Sequence, residues 1–169
     1  MKGLLSIFCW LETAGLGMWL GGMAALVLIA PMVFDTVKPV EMAGEVMSRV
    51  FRNFNGLLAY IYIGMIAAGF LGRLFLNPGR KVSRSVEAGL LAVLILSGLY
   101  IGAVLGPRMQ ELRQIRAADP LNKVAAVEFD RDHRVSERLF VMNALLGLTA
   151  LFMVSREIVG SDKNKEGAS

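Results

Sequence analysis

TAGLGMWLGGMAALVLIAPMVF, Thr13 to Phe34, decides the fold: it runs for 22 residues without a charge. At 1.5 Å of rise each, about 20 apolar residues cross the hydrocarbon of a bilayer, so the stretch reads as a membrane helix. Thr13, Gly17, Gly21 and Ala25 place small residues four apart along it. Such a strip lets a second helix press backbone to backbone.

Charge-free runs recur at Asn53–Gly72 (20 residues), Ala88–Pro107 (20) and Leu139–Ser155 (17). With the first they make four spans, at about 11–34, 54–75, 86–106 and 137–158. A hydrophobic fraction of 55% and a mean hydropathy of +0.56 are too apolar for a globule in water, whose helices keep a polar face. The expected fold is an all-α integral membrane protein: one four-helix, up-down bundle over residues 1–160, with a polar, disordered tail at 161–169.

Residues 4–34 can be helical throughout, about 46 Å long, which overshoots a core of about 30 Å. Leu4–Leu11 is therefore expected at the interface, with Trp10 as an anchor and Pro31 as a kink or stop. The run is too long for a cleaved signal peptide and reads as a retained helix. The connections are expected to be helical extensions. After Pro39, Ala43, Val46, Met47, Val50, Phe51 and Phe54 fall three and four apart, an amphipathic helix that lies on the membrane or bends into the second span. Asn77-Pro78-Gly79 breaks the chain between the second and third spans. Arg108–Arg138 carries seven basic and six acidic residues; Asp119-Pro120 divides it into a helical hairpin projecting from the bilayer.

Further small-residue strips occur at Gly64, Ala68 and Gly72 and at Gly98, Gly102 and Gly106, again read as close helix packing, with surplus strips open to a homo-oligomer or another membrane protein. The net charge of +4 comes from Lys and Arg at span ends, which implies a lipid bilayer as partner and no nucleic acid. The tight turn after the second span holds Arg73, Arg80, Lys81 and Arg84. By the positive-inside rule this places the turn and both termini in the cytoplasm.

Polar residues near the spans are the candidate functional positions. His133, the one histidine, shares a helical stripe with Phe129, Ser136, Phe140, Asn143 and Gly147. Two readings stand: a hydrogen-bonded clasp that docks the fourth span, or a ligand or proton site at the membrane surface. Asp130 and Asp132 beside His133 match no recognised zinc or copper spacing. Glu12 either sits at the interface, favouring the positive end of the helix dipole, or lies about 12 Å along the helix as a proton or cation site. The ten methionines are scattered singly within the spans and read as packing filler. Cys9, alone, excludes an internal disulfide. No catalytic residue, metal site or cofactor site is expected.

GMWLGGMAALVLIAPMVFDTVKPVEMAGEVMSRVFRNFN resembles the opening of the transmembrane protein 205-like family, in its bacterial branch of unknown function. The features shared are Trp19 and Gly21, then Pro31 and Phe34, then Ala43 and Gly44, with Phe129, His133, Ser136 and Asn143 leading into the last helix. The resemblance implies a small four-helix membrane protein, in a bacterial inner membrane, and no catalytic residue. The Trp-Gly-Gly and Pro pattern is also similar, distantly, to copper-resistance membrane domains, whose histidines this chain lacks. A non-enzymatic membrane protein with a structural or accessory role is the leading expectation; a small transporter or a metal- or proton-handling protein using Glu12, His133 and Asn143 is the alternative.

Overall fold

The structure is a computed structural model that describes residues 2–76 and 81–166. Helix α1 (Lys2–Thr36) is followed by α2 (Val40–Asn53), which joins α3 (Ala59–Leu76) through one π-helical turn, Phe54–Leu58. Helix α4 (Lys81–Tyr100) continues through a second π-helical turn, Ile101–Leu105, into α5 (Gly106–Ala118), and α6 (Lys123–Glu166) completes the chain. No strand occurs among the described residues. Four helical stretches are long and apolar enough to cross a membrane: Gly3–Thr36, Val40–Leu76, Arg84–Ala118 and Lys123–Arg156. This is a multi-pass, four-span helical bundle. Leu28, Leu96, Leu145 and Phe152 are each at least 60% exposed. With Phe75 of α3, which is 80% exposed, and Tyr60, Ile61 and Leu71 on the same helix, they form an apolar belt that fits lipid and would aggregate in water.

The inner faces follow a seven-residue rhythm. On α1 the buried residues are Glu12, Gly15, Leu16, Trp19, Met23 and Leu26; on α3 they are Ala59, Tyr62, Ile66, Gly69 and Arg73. On α4 they begin Arg84, Glu87, Leu91 and Leu94, and on α6 they include Asn143, Gly147, Ala150 and Val154. Steps of three and four keep one seam of a helix facing its partner over many turns. Helix α1 packs along α3 and α6, and α4 along α6.

The glycines serve this seam differently from the expected strips. Gly17, Gly21 and Gly64 have open space where a Cβ would stand, so these three glycines do not pack within the chain. Gly72 and Gly98 do pack, against Phe8 and Trp19, and Gly22 receives Phe54. At these three positions an aromatic ring seats over a single glycine of a neighbouring helix, whereas α1 and α3 meet backbone to backbone at Gly15 and Gly69. Gly69 is the closest backbone approach: a Cβ there would lie 2.6 Å from Glu12 Cβ and 2.7 Å from both Glu12 N and Phe8 O.

Both connecting extensions are helical. The π-helical turn contains Gly56 at φ −84°, ψ −115°, and the backbone bends there from α2 directly into the second span. Helix α1 passes through Pro31 to Thr36 without stopping. Asp119 to Asn122 separates α5 from α6, and the hairpin is held by Arg108, which meets Asp132 at 3.0 Å and Glu128 at 3.3 Å. Asn77-Pro78-Gly79 and residues 167–169 lie outside the described residues, and α6 is helical to Glu166, beyond the Gly160 at which the polar tail begins.

Candidate functional site

Two polar assemblies lie at opposite ends of the bundle. At the end that carries the termini, Glu12, Arg73 and Glu87 are respectively the last charge before the first charge-free run, the first after the second, and the last before the third. The common level of these run ends brings three helices' charges together. Arg73 Nε donates to Glu12 Oε2 at 2.8 Å, and Arg73 Nη2 to Glu87 Oε1 at 2.5 Å. Arg84 Nη1 donates to the Arg73 carbonyl oxygen at 2.8 Å. All four side chains are buried, none exposed above 4%. Among the described residues the cluster's two guanidiniums and two carboxylates sum to zero, and such compensation lets buried charges stay out of water. Gly69, one turn before Arg73, admits Glu12 to this distance.

Glu12 is thus an ion-paired carboxylate, held by a guanidinium 61 positions away in sequence. Arg73 and Arg84, expected only as turn charges, join it in the cluster, together with Glu87. The signal was present in the sequence, since all three extend the three-and-four spacing of their own apolar seams.

At the other end a cleft of about 880 Å³ opens among α1, α2, α5 and α6. That is near the top of the range of about 300–1,000 Å³ usual for small-molecule sites. The two π-helical turns form its floor: Asn55, Gly56, Ile101 and Gly102 line it, and a Cβ on Gly102 would stand 3.1 Å from the Asn55 carbonyl oxygen. A π turn inserts an extra residue and re-aims the side chains around it, and such turns cluster at functional sites. The lower walls are apolar, with Leu26, Ala30, Met47 and Phe140; Arg52, Gln110, Arg113, His133 and Glu137 surround the rim.

Arg113 reaches across from α5 to α2, donating to the Gly44 carbonyl oxygen at 2.6 Å and to Ser48 Oγ. Its guanidinium also lies 5.6 Å from the centre of the Phe129 ring. The other face of the rim is His133, stacked on Phe129 at 5.9 Å and 12°, with Nε2 3.3 Å from Glu137 Oε1.

The stripe expected on α6 is therefore divided. Phe129, His133, Ser136 and Phe140 all line the cleft, whereas Asn143 is 2% exposed and hydrogen-bonded to Ser97 of α4. Asn143 is the clasp between the third and fourth spans. His133 is not: both its contacts lie on its own helix. Asp132 is turned to Arg108 rather than towards His133, and no group of three metal-ligating side chains occurs among the described residues. Of the methionines, Met23 accepts the Trp19 indole N–H at 3.1 Å. Arg52, Gln110 and Arg113 went unnoticed in the sequence because only the tertiary arrangement brings α2 and α5 to one rim.

Residues 14–118 match the family described as a domain of unknown function, DUF4149. No curated protein and no solved structure matches the chain.

Proposed function

The chain belongs to the DUF4149 family, a domain of unknown function, and from that premise we propose that it is a non-enzymatic membrane protein with a structural or accessory role. The observation that carries this reading is the division of the bundle. Its terminal end is closed by a charge-neutral, buried cluster, and the middle holds only the Ser97–Asn143 pair as buried uncharged polar side chains among the described residues. Among the described residues no row of buried ionisable groups leads from the cleft to Glu12, as a proton or ion path would need. The lining of the cleft does not reach the terminal cluster, which suits holding a molecule more than passing it through the bundle. The finer placement belongs to the same proposal: the bacterial branch of the transmembrane protein 205-like family, an inner membrane, and both termini in the cytoplasm. The outward strip at Gly17, Gly21 and Ala25 supports a homo-oligomer or a second membrane protein as partner.

The alternative, a small transporter, draws on His133 lining the cleft. Purified protein in vesicles loaded with pH- and metal-sensitive dyes separates the two. The accessory role expects no flux above empty vesicles. Flux that Glu12→Gln or His133→Ala abolishes would replace it with transport.

A further inference from the structure

The cleft has a chemical polarity that specifies its occupant. Its deep walls are apolar, and Val27 of α1 and Val141 of α6, which line it, are 58% and 59% exposed. These residues belong to the lipid-facing surface, so the apolar half of the cleft opens sideways towards hydrocarbon. The rim lies where the charge-free runs end, near Phe34, Asn53, Pro107 and Leu139, which is headgroup level.

The rim is cationic. Arg52 and Arg113 line it against a single lining carboxylate, Glu137, and that carboxylate already faces His133 at 3.3 Å. Glu45, the acid on α2 whose charge reaches Arg113, is exposed and already paired with Arg49 at 2.6 Å. Arg52 makes no ion pair among the described residues. Arg113 spends Nη1 on Gly44 and Ser48, which fixes the guanidinium plane and leaves Nε and Nη2 without a protein acceptor among the described residues. A guanidinium anchored by one nitrogen and presenting its others is suited to a phosphate, which it can meet with two parallel hydrogen bonds.

We propose that the cleft binds one anionic phospholipid drawn sideways from the adjoining leaflet. An acyl chain lies along Leu26, Ala30 and Phe140, and the phosphate is held by Arg113 and Arg52. Basic pockets between membrane helices recognise lipid headgroups in this way. The inference deepens the accessory reading by naming what the cleft holds, and it stands or falls separately from the flux measurement.

Native mass spectrometry of the detergent-solubilised full chain tests it, with phosphatidylglycerol titrated against phosphatidylcholine of the same acyl chains. One phosphatidylglycerol is expected to bind about tenfold more tightly than phosphatidylcholine, and Arg52→Gln or Arg113→Gln to weaken it by about tenfold, the loss of one charge-assisted contact. Arg49→Gln, on the outer surface, leaves it unchanged. Because Arg113 also ties α5 to α2, Ala30→Trp supplies a second test: it fills the apolar half, keeps both arginines, and is expected to abolish the 1:1 complex. Glycerol 3-phosphate, with the headgroup charge and no chain, should not compete. Equal binding of both lipids, or binding indifferent to Arg52→Gln and Ala30→Trp, overturns the proposal, and competition by glycerol 3-phosphate alone would reduce it to a phosphate site.

Discussion

Arg73 and Glu12 stand 61 residues apart in sequence and 2.8 Å apart in space. The pair joins α1 to α3 at a point where neither side chain reaches water. Burying such a pair gains little over apolar packing, but breaking it leaves an uncompensated charge. Removing Arg73 strands two carboxylates, Glu12 and Glu87, whereas removing Glu12 leaves Arg73 still paired.

Arg73→Met is therefore expected to cost about 3–5 kcal/mol of unfolding free energy, and Glu12→Gln clearly less. Denaturant titration of the detergent-purified protein measures both. The double variant should lose less than the sum of the two single losses. Strict additivity would show that the two groups do not depend on each other.

Gly69 and Gly17 make a paired prediction about glycine. At Gly69 a methyl group meets backbone atoms of α1, which cannot swing aside, so Gly69→Ala is expected to destabilise by about 1–3 kcal/mol. Gly17→Ala enters open space and should be neutral, or stabilising by up to about 1 kcal/mol through helix propensity. Thermal melts of the two variants check this. Equal losses at both positions would place the α1 strip inside a packed interface.

Asn143→Ala removes the partner of Ser97 in the middle of the bundle. Hydrogen bonds between membrane helices are worth about 0.6–2 kcal/mol, and the variant should lose stability in that range. Ser97→Ala in the Asn143→Ala background should then cost almost nothing further. A full second loss would mean that the two residues act separately.

His133→Ala is expected to change stability by less than about 0.5 kcal/mol, because the ring is largely exposed and its contacts lie on one helix. Zinc, nickel and copper should leave the melting temperature of both proteins unchanged. Stoichiometric metal that raises the wild-type melting temperature and not the variant's would make His133 a metal ligand.

The spans and both helical extensions were legible because hydrophobicity along the chain records them directly. The charge network was half legible. Glu12, Arg73 and Glu87 each bound a charge-free run and each continue a three-and-four apolar rhythm, so their convergence was written in the register of Leu16, Ile66 and Leu91. Small-residue spacing pointed to the wrong face of α1: Gly17 and Gly21 are four apart, but the seam runs through Leu16, Trp19 and Met23. Trp19 opposes Gly98 and Phe8 opposes Gly72, and such pairings link distant segments that no local period reveals. The cleft was illegible for the same reason. Its floor depends on two π-helical turns, and its rim on residues from three helices that meet only after folding.

The neutral cluster also orders the birth of the bundle. When α1 alone has entered the membrane, Glu12 has no counter-charge; Arg73 arrives with α3, and Glu87 only with α4. A chain released before Arg73 is made carries a bare carboxylate on its inner seam, and one released before Glu87 leaves Arg73 with a single carboxylate. Incomplete copies thus display, at a fixed depth, a charge that complete copies conceal, and membrane quality control has a physical mark by which to tell them apart.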